Sequence, residues 1–195
     1  MPAPLEDLQI DQTFEKISFA DLSIQGKEFE QCVFKNCDLS NINLTGCIFI
    51  DCQFQNCNLS LAKLHKASFQ NVEFEGCKML GLRFDSGNTF GLSFSFKNCT
   101  LDHSSFYGLK IKKTNFTNSQ LKGVDFTDGF LESSDFSFSD LLDAKFERTN
   151  LEKCDFSSAY NFSIDPDSNK IKEARFSLAG LPALLSKYSI KIVDA

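Results

Sequence analysis

Cysteine and histidine are the side chains of this sequence best suited to metal binding or nucleophilic chemistry. His65 and His103 fall where side chains should face solvent, on the opposite side of the chain wall from the cysteines, so the two types cannot share a zinc ion. No CxxC pair has metal-ligand spacing, and no GxSxG, HExxH or glycine-rich phosphate motif occurs. We therefore predict no metal, no cofactor and no catalytic residue. The eight cysteines should be buried, free and unreactive: Cys32, Cys37, Cys47, Cys52, Cys57, Cys77, Cys99 and Cys154.

Carboxylates form the second set of candidates, because they could provide a negatively charged binding surface. Glu132 and Glu152 are 20 residues apart, as are Asp135 and Asp155, so a 20-residue turn would stack all four at one corner. One interpretation is an ordinary solvated face, because like charges about 5 Å apart repel only mildly in water. The other is an acidic strip, extended by Asp125, Asp140 and Asp143, that imitates a row of phosphates for a basic groove.

A five-residue repeat must position these side chains. Large apolar residues recur at every fifth position over residues 14–84 and, after a shift of two, over residues 101–156. Neither a helix nor a strand keeps a period of five on one face. A coil with four sides of five residues does, if the large central residue and the small residue two before it both point inward. Gly, Asn and Asp recur two residues after the centre and would form the corners.

This pattern resembles the pentapeptide-repeat family, whose consensus is a small residue, Asp or Asn, Leu or Phe, and two polar residues. Residues 37–41 (CDLSN) and 57–61 (CNLSL) show it, and the resemblance spans roughly residues 14 to 160. It implies an all-β solenoid, a right-handed quadrilateral β-helix whose handedness comes from the family alone. Residues 77–84 and 172–192 look similar to the quinolone-resistance branch. That similarity implies a non-enzymatic protein that binds DNA gyrase or topoisomerase IV through a DNA-like acidic surface and protects against quinolones.

The period fails near residues 85–98, where two extra residues must bulge outward and Phe94 and Phe96 lie in competing registers. The bulge could simply join two half-rods, or it could be a partner-recognition loop that presents Phe90. We expect residues 1–13 to form an N-terminal cap and residues 14–164 the β-helix.

Residues 165–195 are expected to cap the other end of the rod. An amphipathic helix is predicted there from the spacing of four residues and from Pro182 in its first turn. The four are Leu181, Leu184, Leu185 and Tyr188. Capping an open β-rod explains the segment, while the family resemblance implies in addition that these residues join two rods into a homodimer.

Composition limits the partners of the chain. A net charge of −6 and a pI near 5.0 count against direct binding to nucleic acid or to an anionic membrane. The sequence contains no secretion signal and no run of 18 apolar residues, so we expect a cytoplasmic protein. Two functions stay open: a topoisomerase-binding rod, and a structural scaffold or interaction module with another protein partner.

Overall fold

The five-residue period forms one side of a four-sided coil in the computed structural model, which describes residues 5–20 and 22–193. Each turn takes 20 residues, and about eight turns stack in parallel register into a β-solenoid. We number the sides face 1 to face 4 in chain order, so that Phe49, Phe54, Leu59 and Leu64 are the central residues of one turn. The predicted all-β solenoid is confirmed.

Short parallel strands line faces 1 and 2 in the first half of the rod. Face 1 carries a sheet in the order β1-β3-β5-β7, and face 2 carries one in the order β2-β4-β6-β8-β9. Their bounds are β1 Leu8–Ile10, β2 Thr13–Glu15, β3 Glu28–Glu30, β4 Val33–Lys35, β5 Ile48–Ile50, β6 Gln53–Gln55, β7 Ser68–Gln70, β8 Val72–Glu75 and β9 Phe94–Lys97.

Single-residue bridges between residues 20 apart, such as Asn115 with Asp135, hold most of the second half. One further strand pair, β10 (Asp155–Phe156) with β11 (Arg175–Phe176), follows near the C-terminus. The helical segments are the 3-10 turns Phe84–Ser86, Leu178–Gly180 and Ser186–Tyr188 and the helix α1, Leu181–Leu184. None of the helices in residues 5–20 and 22–193 is long and apolar enough to cross a membrane.

A column of stacked phenylalanine rings fills face 2 along the whole rod. Ring centroids of neighbours lie 4.5–5.3 Å apart in nearly parallel planes. Stacking of this kind adds to the free energy gained by burying the rings. The column consists of Phe14, Phe34, Phe54, Phe74, Phe96, Phe116, Phe136, Phe156 and Phe176.

A second column of rings changes face at the break in the repeat. Before the break it runs along face 1 and ends at Phe69. From Phe84, the last centre before the break, it runs along face 4, where Phe84 stacks on Phe106 at 4.7 Å. The rings of Phe69 and Phe84 meet edge to face at 6.0 Å, so the aromatic core stays continuous across the break.

Phe94 and Phe96 are both buried, which resolves their competition for register. Phe96 becomes the face 2 centre by pairing with Phe74, 22 residues earlier. Phe94 takes the position two before it, which usually holds a small residue, and its ring lies 5.3 Å from that of Phe84. The extra residues form the loop 87–93, which projects from the coil. The loop stands where the face 1 side of this turn would have its central residue.

The second inward position hydrogen-bonds the backbone as well as filling space. Ser104 donates its hydroxyl to the carbonyl of Met79 at 2.9 Å and accepts the backbone N–H of Leu82 at 3.0 Å. The thiol of Cys57 likewise donates to the carbonyl of Phe34 at 3.3 Å. Cysteine, serine and threonine therefore suit this position because they pair buried backbone groups. All eight cysteines are buried and free, as predicted.

Corner residues, two after most of the centres, adopt left-handed backbone angles, as at Asn36 (φ 53°) and Asp128 (φ 58°). Gly123 (φ 62°) also faces a close neighbour, because a Cβ there would lie 2.7 Å from Nδ1 of His103. Asparagine, aspartate and glycine accept this conformation at low cost, which explains their recurrence.

The hydrogen-bonded ladder runs past residues 14–164 at both ends. Strand β1 pairs with β3 before residue 14, and Phe176 in β11 stacks on Phe156 at 5.3 Å after residue 164. Parts of the expected terminal caps therefore continue the coil.

Removing one ring from the middle of the face 2 column should destabilise the whole rod. Phe116 is fully buried between Phe96 and Phe136. We expect Phe116→Ala to lower the free energy of unfolding in urea by about 3–5 kcal/mol, because it removes apolar contacts and leaves a cavity. Phe130→Ala, at a residue 40% exposed, should cost less than about 1 kcal/mol. Equal losses would contradict the stacked-core account.

The buried thiols should resist alkylation while the rod is folded. Burial raises the pKa of Cys47 to about 11 and the pKa of Cys52 and Cys154 to about 12. At pH 9 these three thiols stay protonated, whereas an unfolded thiol is about three quarters ionised, and only the thiolate reacts. Mass spectrometry after iodoacetamide treatment should show little label on the native chain and eight labels after denaturation. Rapid labelling of the native chain would show that the thiols are accessible.

Candidate protein-interaction surfaces

The corner between faces 1 and 2 brings four of the predicted carboxylates together, and we call Glu132, Asp135, Glu152 and Asp155 the carboxylate corner. Asp135 and Asp155 are direct partners in the parallel ladder. Each aspartate accepts a hydrogen bond at 2.9 Å from a backbone N–H two residues later, which fixes both side chains against the turn. The sequence spacing thus produces a fixed pair of carboxylates on adjacent coils.

Cations border the carboxylate corner at both ends, so it is not a uniformly negative strip. Lys112 Nζ lies 2.6 Å from Glu132 Oε2, and Arg175 Nη1 lies 2.8 Å from Asp155 Oδ2. The hydrogen bond from Lys112, followed by its charge, lowers the pKa of Glu132 below its ordinary value. The corner displays negative charge in its middle and positive charge above and below.

Asp125 does not extend the carboxylate corner. It bridges Ser105 and Lys145 on face 4, and its Oδ1 accepts the N–H of Thr127 at 3.0 Å. Ten residues separate Asp125 from Asp135, which is two sides of a four-sided coil, so the two aspartates face in opposite directions. The expected extension fails because closeness in sequence does not mean the same face.

Phe90 also lies away from the four carboxylates. It is 80% exposed in the loop 87–93, and its N–H is held by Oδ1 of Asn88 at 3.0 Å. The loop and Lys110 line a shallow depression, and Lys110 Nζ reaches within 5.7 Å of the Phe130 ring. Phe90 and Phe130 are therefore exposed aromatic side chains beside a lysine, a composition found in protein interfaces.

A second acidic surface, which the sequence reasoning missed, covers faces 1 and 2 in the first half of the rod. Glu28 and Glu30 flank the buried Phe29 on face 1, and Glu73 and Glu75 flank Phe74 on face 2. Because neighbours of an inward centre point outward, the five-residue period could have located these glutamates in the same way that it located Glu132.

The C-terminal segment forms a shorter helix than predicted. Helix α1 ends at Leu184, and Tyr188 lies in a separate 3-10 turn. Lys187 forms ion pairs with Asp165 and Asp167, which fasten this segment to the last coil.

Leu184 packs partly against the core, while the other three residues of the predicted helical stripe stay exposed. Leu181, Leu185 and Tyr188 are 42%, 37% and 51% exposed. The rod thus ends in a cluster of partly exposed apolar side chains.

In residues 5–20 and 22–193, no three His, Cys, Asp or Glu side chains are arranged to hold a metal ion.

A filled four-sided β-solenoid with a five-residue period is the architecture of pentapeptide-repeat proteins. The family model for the pentapeptide repeat region matches residues 27–95 and 89–156, and the chain belongs to this family. The two matched segments overlap at the loop 87–93, where the coil changes register.

Two solved structures show the same fold. Both are trypsin-treated variants of QnrB1, described as a plasmid-mediated fluoroquinolone resistance protein. The first matches with a TM-score of 0.62 and 19% identity over 95% of this chain and 97% of its own. The second matches with a TM-score of 0.62 and 18% identity over 96% and 99%. No curated protein sequence matches this chain.

Proposed function

We propose that this protein is a non-enzymatic rod that binds a type II topoisomerase, DNA gyrase or topoisomerase IV, and protects it from quinolones. The carboxylate corner carries the proposal, because it holds paired acidic side chains in fixed register on a rod. Stacked carboxylates repeat at about 4.8 Å, on the same scale as the roughly 3.4 Å rise between phosphates of one DNA strand. The fluoroquinolone resistance described for QnrB1, which shares the fold, supports this choice of partner.

Rigidity makes the carboxylate corner suitable for binding a basic groove. Its aspartates are fixed to backbone N–H groups, and the coil beneath them is filled with stacked rings. A surface fixed in advance loses little conformational entropy on binding. Lys112 and Arg175 at the ends would repel misplaced basic groups and so define the register of the partner.

Dimerisation through the C-terminal segment would double the length of the rod and give it two carboxylate corners. About eight coils give a rod of roughly 40 Å at 4.8 Å per coil. The exposed Leu181, Leu185 and Tyr188 lie at one end of that rod. Joining two chains there would bury these side chains and place one carboxylate corner on each side of the junction.

The alternative function, an interaction module with another protein, is favoured by an exposed apolar patch at the corner between faces 2 and 3. Phe138 is 62% exposed in a left-handed conformation (φ 60°), which is unusual for a bulky residue. Leu142 and Tyr160 lie beside it, 44% and 50% exposed. Asp140, the ladder partner of Tyr160, is buried and paired with Lys122 at 3.4 Å, so it adds little net charge to the patch.

The topoisomerase proposal predicts a charge-specific effect on gyrase. The protein should inhibit supercoiling or restore it in the presence of a quinolone, and Glu132→Lys with Glu152→Lys should abolish that effect. This double variant keeps Asp135 and Asp155, the aspartates that accept hydrogen bonds from the turns, so the rod should fold. Asp143→Lys with Glu147→Lys makes the same charge change on faces 3 and 4 and should leave the effect intact.

Absence of any effect of the wild-type protein at large molar excess would refute topoisomerase binding. Equal loss in both double variants would instead refute the role of the carboxylate corner, because total charge alone would then explain the result.

The dimer proposal predicts that charges at the C-terminal end separate the chains. Leu181→Glu with Leu185→Glu should reduce the mass measured by light scattering from two chains to one. Leu61→Glu, which is also an exposed leucine (59%) but lies on face 3 in the first half, should leave the mass unchanged. A wild-type protein that is already monomeric at high concentration would contradict dimerisation.

A further inference from the structure

The outer surface of the sheet β1-β3-β5-β7 on face 1 presents alternating rows of aliphatic and acidic side chains. Leu8 and Ile10 form the first row, Glu28 and Glu30 the second, and Ile48 and Ile50 the third. Residues of one row point outward from the same strand, and register partners in neighbouring strands stack directly on one another. The surface is therefore two side chains wide, with glutamates between aliphatic rows.

These aliphatic rows are exposed on a sheet whose other side is the filled core. Leu8 and Ile10 are 46% and 44% exposed, and Ile48 and Ile50 are partly exposed. Parallel sheets normally have both faces covered. Within residues 5–20 and 22–193, no other strand or helix packs extensively against this sheet. Each of its strands is in extensive contact only with its neighbours in the same sheet. The aliphatic rows of this face are thus left without an intramolecular cover.

The glutamate row gives this face a net negative charge. Neither Glu28 nor Glu30 forms a salt bridge with a residue in the described part of the chain. Lys27, the nearest lysine in sequence, does not neutralise them, since its Nζ bonds the Leu5 carbonyl at 2.7 Å and Asp7 at 3.1 Å. A cation supplied by a partner would therefore find both carboxylates available.

The loop 87–93 closes one end of this face. Asn88 donates its N–H to the Ala67 carbonyl at 2.8 Å, and Ser93 donates to the Phe69 carbonyl at 3.0 Å. The loop accordingly lies over the last strand, where Ser68 is only 3% exposed. The aliphatic and acidic rows thus form a platform bounded by a wall at the loop.

We propose that this face, hereafter the platform, docks an amphipathic helix of a protein partner that carries lysine or arginine between aliphatic residues. The charge complementarity is set by the two glutamates, and the aliphatic rows on either side supply apolar contact. Rows about 4.8 Å apart nearly match the 5.4 Å pitch of an α-helix. A helix lying along the rod axis would place aliphatic, basic and aliphatic side chains on successive rows. This interaction is separate from the carboxylate corner and does not depend on topoisomerase binding.

Peptide binding to the full chain tests the platform. The probe is a fluorescent helical peptide of leucine and lysine that carries leucine, lysine and leucine on successive turns of one face, and its fluorescence anisotropy is followed as protein is added. Glu28→Lys with Glu30→Lys should weaken binding at least about tenfold, because it turns charge attraction into repulsion. Ile48→Thr with Ile50→Thr, which keeps β-branched side chains, should weaken binding through the loss of apolar contact. A leucine–glutamate peptide of the same pattern should not bind.

Matched controls separate docking from general attraction to an acidic protein. Glu15→Lys with Glu73→Lys makes the same charge change on face 2 and should bind the peptide nearly as well as the wild type does. Equal weakening in the face 1 and face 2 variants would overturn the proposal, as would unchanged binding after the isoleucine substitutions. Glu132→Lys with Glu152→Lys should also bind normally, so failure at the platform is distinguishable from failure at the carboxylate corner. Circular dichroism checks that each variant keeps its fold.

Discussion

Parallel hydrogen bonding between coils is the constraint on which the rest of the structure depends. Pairing residue n with residue n + 20 places equivalent side chains on top of each other about 4.8 Å apart. Each position on the coil therefore becomes a column, and a residue is acceptable only if it tolerates its neighbours above and below. Phenylalanine meets this requirement inside because flat rings stack, as Phe34 does on Phe54 at 4.5 Å.

The same constraint governs the surface and the break in the repeat. Like charges stacked in a column repel, and the chain limits this by placing Lys112 before Glu132 and Arg175 after Asp155. Two inserted residues can enter the coil only if every later column is kept in register. The loop 87–93 achieves this by leaving the coil, while Phe94 fills the interior in place of a regular centre. The aromatic column then changes from face 1 to face 4 without a gap.

Features that depend on the period alone were predictable from the sequence. The central phenylalanines, the buried cysteines and the left-handed corners all follow from the position of a residue within the five-residue repeat. Features that depend on the face are harder to predict, because they require the position of a residue within the 20-residue turn. Closeness in sequence groups Asp125 with Asp135 although two sides of the coil separate them, and Arg175 lies beyond the expected end of the repeat. The helix near Leu181 is short because the backbone leaves the helical region at Leu185 (φ −106°, ψ 1°) and a separate 3-10 turn follows it.

A continuous filled core has consequences for how the surfaces of the rod act. The carboxylate corner and the platform lie in different halves of the coil, and a column of stacked rings runs between them. We expect no change of shape to pass from one surface to the other through this column, since allosteric coupling needs an element with two states. Communication between them is limited to charge, which salt screens within about 8 Å at physiological ionic strength. A partner held on the platform and a partner held at the carboxylate corner would consequently bind independently, which suits a rod that positions two proteins at a fixed distance.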